Sequence, residues 1–166
     1  MRNRLRITLF GAVLVAATLA VPPNAVAGGD HSHGAAARCE RQLTDAQLKM
    51  NKQFVDRNLE PFLRNYHRDA TFILFDGQIF PTTPAIRGYY TGLFANPAWE
   101  ATFTVSKKVV NGCESAVVIE DATFDIPAVG YHLRYWGTLS WVRDHGQWRV
   151  VNDQLTPVTE TAAAPS

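Results

Sequence analysis

The sequence predicts an α+β domain in which one sheet buries a face against helices. Helix signals are confined to the residues before Asn96-Pro97. After that point the chain alternates in long runs rich in β-branched and aromatic residues. Those runs are broken at Asn111-Gly112 and at Asp144-His145-Gly146, the chemistry of tight hairpins. The later strands therefore read as an antiparallel meander.

Thr44 and Gln47 fit a capping box, with Leu43 and Leu48 placed as its hydrophobic staple. This predicts a first helix from about Asp45 to Arg57. Asn58 can cap a second helix to about His67, with Pro61 tolerated in the first turn. A strand is predicted over residues 71–76, ending at the Asp76-Gly77 turn, with a short return strand over 78–81. Thr83-Pro84 predicts a third helix through Ile86, Tyr89, Tyr90 and Leu93. Four longer strands follow, over about 102–110, 115–126, 131–143 and 147–155.

Arg2, Arg4 and Arg6 precede an apolar run from Ile7 to Val21, and Ala25-Val26-Ala27 supplies small residues for signal peptidase. The run of about fifteen residues is short of the roughly twenty that span a bilayer, and Pro22-Pro23 ends it. The expectation is a signal peptide over 1–27, cleaved after Ala27, a secreted or periplasmic protein, and no membrane span in the mature chain. A flexible leader is expected over 28–42, one domain over 43–157 and a flexible tail over 158–166. The mature chain would have 139 residues and a formal charge of −2, against +1 for the whole. Without a basic cluster, nucleic acid is not expected as a partner. Cys39 and Cys113 are the chain's two cysteines. After export they could bond or stay separate; a bond would close a loop of about 75 residues and stabilise the fold by roughly 4 kcal/mol.

No cofactor is expected, because the chain has no phosphate-binding glycine loop, HExxH, paired CxxC or GxSxG. No metal is expected either; His31 and His33 read as solvated residues of the leader.

Two stretches, YHRDATFILFDGQIFPTTPAIRGYY from Tyr66 and YWGTLSWVRDHGQWRVVNDQ from Tyr135, resemble the nuclear transport factor 2-like superfamily in its SnoaL-like and ketosteroid-isomerase-like branch. The resemblance covers Leu43 to Pro157 and rests on element order, DAT, the DG turn, the helix after it, and GQWRVV. It implies a cone-shaped, curved antiparallel sheet wrapped around N-terminal helices, a nuclear transport factor 2-like or cystatin-like architecture, with a pocket inside. Aligned on DAT and DHG, the positions of the isomerase members' base, tyrosine and acid carry Leu74, Met50 and Thr138. All three chemical groups are missing. The superfamily's epoxide hydrolases use an Asp-Arg-Asp arrangement, which Asp76, Arg134 and Asp153 resemble in composition.

The same alignment places His132, Arg134, Trp136 and Thr138 inward on their strand, with Phe72, Leu74 and Asp76 on the first strand and Arg149, Val151 and Asp153 on the last. Phe72, Leu74, Tyr90, Arg134, Trp136 and Thr138 are then the expected ligand-binding residues. Asp76, His132 and Asp153 are the catalytic candidates. Arg134 could instead pair with Glu120 or Asp121, and Asp76 could serve only its turn. Tyr131, Leu133, Tyr135, Leu139 and Trp141 would form an outer stripe, which predicts a homodimer. The leading expectation is a protein holding a small, mainly apolar ligand. The alternatives are an isomerase, cyclase or hydratase using the inward Asp, His and Arg, and a non-enzymatic interaction module.

Overall fold

The computed structural model describes residues 29–161; the expected signal peptide and the chain after Thr161 lie outside the described residues. The elements are α1 (Gly29–Val55), α2 (Leu59–Leu63), β1 (Tyr66–Ile73), β2 (Ile79–Phe80), α3 (Thr83–Ala95), β3 (Glu100–Asn111), β4 (Ser115–Ile126), β5 (Tyr131–Asp144) and β6 (Gln147–Thr161). Among the described residues they build an α+β cone on one six-stranded sheet, ordered β2-β1-β6-β5-β4-β3. The long strands form the expected antiparallel meander, and β1 joins it by pairing parallel to β6.

The first described helix spans Gly29–Val55, so residues 29–42 of the expected flexible leader are helical. Two physical causes account for this. Ala35, Ala36 and Ala37 are strong helix formers, and tertiary ties hold the turns that follow. Cys39 is disulfide-bonded to Cys113 in the β3–β4 turn, with 5.4 Å between Cα atoms. The Trp148 indole donates to the Cys39 carbonyl at 3.2 Å, and Arg143 donates to Gln42 Oε1 at 2.8 Å. Thr44 is consequently inside the helix, its hydroxyl donating to the Glu40 carbonyl at 2.9 Å rather than capping. Leu48 faces solvent, so the staple does not form.

One stripe of α1 (Cys39, Leu43, Gln47, Met50 and Phe54) is buried against the sheet at helical spacing. The second helix stops at Leu63, earlier than expected. The Asn65 amide bonds Gln53 Oε1 and the Pro61 and Phe62 carbonyls, while the Asn65 carbonyl accepts from Val150. The chain thereby enters β1 at Tyr66. Thr82, one residue before the expected cap, accepts from the Ala85 amide and starts α3.

At the other end, β6 continues to Thr161, so residues expected in a flexible tail are strand paired with β5. The register slips between Ser140/Asn152 and Trp141/Val150, which makes Val151 a bulge residue. Trp148 and Val150 therefore face inward before the bulge, and Asp153 faces inward after it. Arg149 and Val151, expected inward, lie on the other side.

Candidate functional site

Helices α1 and α3 close one side of the cone and the concave face of β1, β6, β5, β4 and β3 closes the other. Between them remains a cavity of about 280 Å³. Its walls are mostly apolar and rich in aromatic rings, because several elements send rings to the same place: Phe54 from α1, Phe72 from β1, Tyr89 and Tyr90 from α3, Phe103 from β3 and Tyr135 from β5. Phe54 packs edge-on against Phe62, Tyr90, Phe94 and Phe103, and Phe72 stacks on Phe80 and Tyr90. Rings in such contacts fix one another's orientation. The space they leave is not taken up by the side chains.

Two carboxyl groups reach this apolar interior. Glu120 on β4 is 2% exposed, and its Oε1 accepts from Asn51 Nδ2 at 2.7 Å and from Gln47 Nε2 at 2.9 Å. Both amides stand on α1, one turn apart. Burial pushes the Glu120 carboxyl up from 4.5 to about 7; the Asn51 bond opposes this and the nearby Asp153 charge adds to it. Asp153 on β6 is 6% exposed and accepts from the Tyr66 hydroxyl at 2.6 Å, which in turn lies 3.2 Å from the Tyr90 hydroxyl. Burial raises Asp153 from 3.8 to about 6, against the lowering effect of Tyr66. The same burial raises Tyr66 and Tyr90 well above 10 and Tyr89 to about 12, with the Asp153 charge contributing to all three. All three phenols therefore carry their protons.

Phe72, Leu74 and Tyr90 line the cavity, as does Asp153. The remaining expected site residues do not. On β5 the structure buries Leu133, Tyr135, Leu139 and Trp141 and turns His132, Arg134, Trp136 and Thr138 to the convex face, the reverse of the expected facing. A one-residue slip of register sends every side chain of a strand to the opposite face, and the alignment anchors carried that slip. Arg134 makes a two-armed ion pair with Asp121 outside, at 2.9 and 2.6 Å. His132 pairs with Asp125, also outside. Asp76 serves its turn, accepting from the Gln78 amide at 2.9 Å. An Asp76, His132, Arg134 constellation around Asp153 is therefore excluded. The stripe expected to form a dimer face is inside the cone, and the pairing expected through it has lost its surface.

Glu120, Asn51, Gln47, Tyr66 and Tyr135 were not among the expected site residues. A signal for the first three exists in the sequence: Gln47 and Asn51, spaced i, i+4, sit beside a helix stripe otherwise made of Leu43, Met50 and Phe54. Two amides so placed need a buried partner. Among the described residues no group of three or more His, Cys, Asp or Glu could hold a metal ion, and no helix is long and apolar enough to cross a membrane.

Among the described residues, the class of architecture is an α+β cone with an apolar cavity and two buried acids. No family model and no curated protein matches it. Solved structures do. A scytalone dehydratase-like protein of Novosphingobium aromaticivorans superposes with a TM-score of 0.68 at 10% identity, over 81% of this chain and 93% of that one. A nuclear transport factor 2-like protein of unknown function from Pseudomonas putida gives 0.63 at 13%, over 72% and 87%. A ketosteroid isomerase-like protein of Erwinia carotovora atroseptica gives 0.62 at 12%, over 72% and 95%. The chain has the nuclear transport factor 2-like fold, as the sequence resemblance implied. At these identities the likeness speaks for the fold, and function must be argued from the site.

Proposed function

We propose that this protein binds one small, mainly apolar molecule inside the cone. The observation that supports this is the cavity of about 280 Å³, bounded by rings that brace one another and leave it unfilled. An apolar pocket with a few convergent polar groups is the usual composition of a ligand site, and its volume suits a body of one or two rings. The test is native mass spectrometry of the mature protein together with displacement of an environment-sensitive dye. An occupied or dye-binding cavity supports the reading, and Leu133→Trp, which places an indole in the space, should abolish binding. A wild-type protein that takes up no dye and carries no ligand refutes it.

A second reading is favoured by one feature, the pair of cavity carboxyls raised to about 7 and about 6. Acids in that range exchange protons readily near neutral pH, as an isomerase, cyclase or hydratase requires. Glu120 and Asp153, not Asp76 and His132, would then carry the chemistry. We also propose that the chain is exported, a reading supported by the Cys39–Cys113 bond, since disulfides persist in oxidising compartments. Amino-terminal sequencing of the mature protein tests the expected cleavage after Ala27.

A further inference from the structure

The cavity is lined by two acids and otherwise mainly by apolar side chains. Glu120 pairs with Gly137 across the β4–β5 ladder, and Asp153 pairs with Leu139 across β5–β6. The two acids thus flank β5 from either side, two residues apart along it, with backbones roughly 12 Å apart at the usual strand spacing and rise. The β5 residues opposite the acids both face the cavity: Leu139 stands beside Asp153, and Gly137, beside Glu120, projects no side chain. A Cβ built there would meet only Leu139 and Tyr135 carbons, at 3.8 and 3.9 Å, so the backbone does not demand a glycine. The missing side chain leaves room beside Glu120, on the side that faces Asp153 along β5.

Each acid keeps one oxygen unengaged. Both amides that bond Glu120 do so at Oε1, and Tyr66 bonds Asp153 at Oδ2. Among the described residues, Glu120 Oε2 and Asp153 Oδ1 have no hydrogen bond. Tyr135, next to Gly137 on the cavity wall, is 5% exposed and its hydroxyl likewise has none among the described residues. Among the described residues, no lysine, arginine or histidine lines the cavity. An anionic ligand would meet uncompensated carboxylates, and a wholly apolar one would leave three buried polar groups without partners. A cation satisfies all of them, and the surrounding ring faces attract it further.

The geometry points to a ligand with a protonated amine head on an apolar body of one or two rings, the ammonium seated between Glu120 and Asp153. This rests on the pocket reading above and names the chemistry of its occupant. The ammonium donates to Glu120 Oε2 and Asp153 Oδ1, and the Tyr135 hydroxyl is the third polar contact. Because burial holds both carboxyls partly protonated near neutral pH, an arriving ammonium displaces protons from them.

The experiment compares two probes of matched shape, 1-naphthalenemethylamine and 1-naphthalenemethanol, by isothermal titration calorimetry on the mature protein. The amine should bind at least tenfold tighter than the alcohol at pH 8. Its affinity should fall at least tenfold between pH 8 and pH 5, where the acids are protonated and the amine still charged, while that of the alcohol should not. Near pH 6 the amine's apparent enthalpy should track the ionisation enthalpy of the buffer, reporting proton release. Glu120→Gln should cost the amine tenfold or more and the alcohol under threefold, and Asp153→Asn provides the same readout from the other side. Equal binding of the two probes, or amine affinity flat from pH 5 to pH 8, overturns the cationic ligand and leaves the pocket intact. Failure of both probes to bind overturns the pocket reading as well.

Discussion

Replacing Glu120 by glutamine should stabilise the protein, increasingly so as pH rises. Glutamine keeps the size of the side chain and an oxygen that can accept from Asn51 and Gln47, while removing the ionisation. The folded-state value of Glu120 is about 7 against an ordinary 4.5. Each pH unit of that difference corresponds to about 1.4 kcal/mol, so the ionised carboxylate costs the fold about 3 kcal/mol. The direction follows from proton binding. Between the two values the folded state holds a proton that the unfolded chain has released, so stability falls as pH rises. The wild type and the variant should therefore have similar stability at pH 4.5. The variant should gain steadily above that and lead by about 3 kcal/mol at pH 8. Urea unfolding at half-unit steps, with the disulfide intact, measures the gap. A gap that is absent at pH 8, or the same at both ends of the range, would show that Glu120 is not held in a water-poor site.

Trp141 is 1% exposed, so Trp141→Ala should remove about 3 to 5 kcal/mol of stability in the same assay, where an outward tryptophan would leave stability almost unchanged. Reduction of Cys39–Cys113, or its replacement by two serines, opens a loop of 74 residues and should cost about 4 kcal/mol, read as a lower urea midpoint. Arg134→Ala should leave dye or probe affinity within twofold of wild type, since its partner Asp121 and the arginine itself lie on the convex face. A large loss of affinity there would contradict the facing of β5.

The architecture was legible because local chemistry and the global fold agree over most of the chain. Asn111-Gly112 and His145-Gly146 do turn the meander, with Gly112 and Gly146 at φ 57° and 79°. Pro84 does stand in the first turn of α3, although the cap is Thr82 and not Thr83. The amino-terminal helix was misjudged because what holds it is tertiary: a disulfide and bonds from Trp148 and Arg143, residues more than a hundred positions away. The inward face of β5 was legible in principle. Tyr131, Leu133, Tyr135, Leu139 and Trp141 form an apolar alternation, against His132, Arg134, Thr138 and Ser140 on the other side. The hydrophobic pattern of β5, and not the match to DAT and DHG, gives its facing; Trp136 is the one large aromatic on the strand's convex side. On β6 no alternation could have sufficed, because the bulge at Val151 reverses the facing midway.

The two acids are the part of the site that fold stability does not explain. Carboxyl groups in an apolar cavity oppose folding above their raised values, and a neutral amide would satisfy Asn51 and Gln47 at lower cost. Their surroundings nonetheless hold them in place: two α1 amides fix Glu120 Oε1, and a Tyr90–Tyr66 chain fixes Asp153 Oδ2. In each case one oxygen is bonded to the protein, and the other has no hydrogen bond among the described residues. A structural acid would use both oxygens on the protein, whereas a site acid needs one oxygen for orientation and one for its ligand. Whether the occupant is a bound amine or a substrate exchanging protons, the same half-satisfied geometry is required, and the pH dependence of the Glu120→Gln stability gap measures how strongly the empty cavity opposes it.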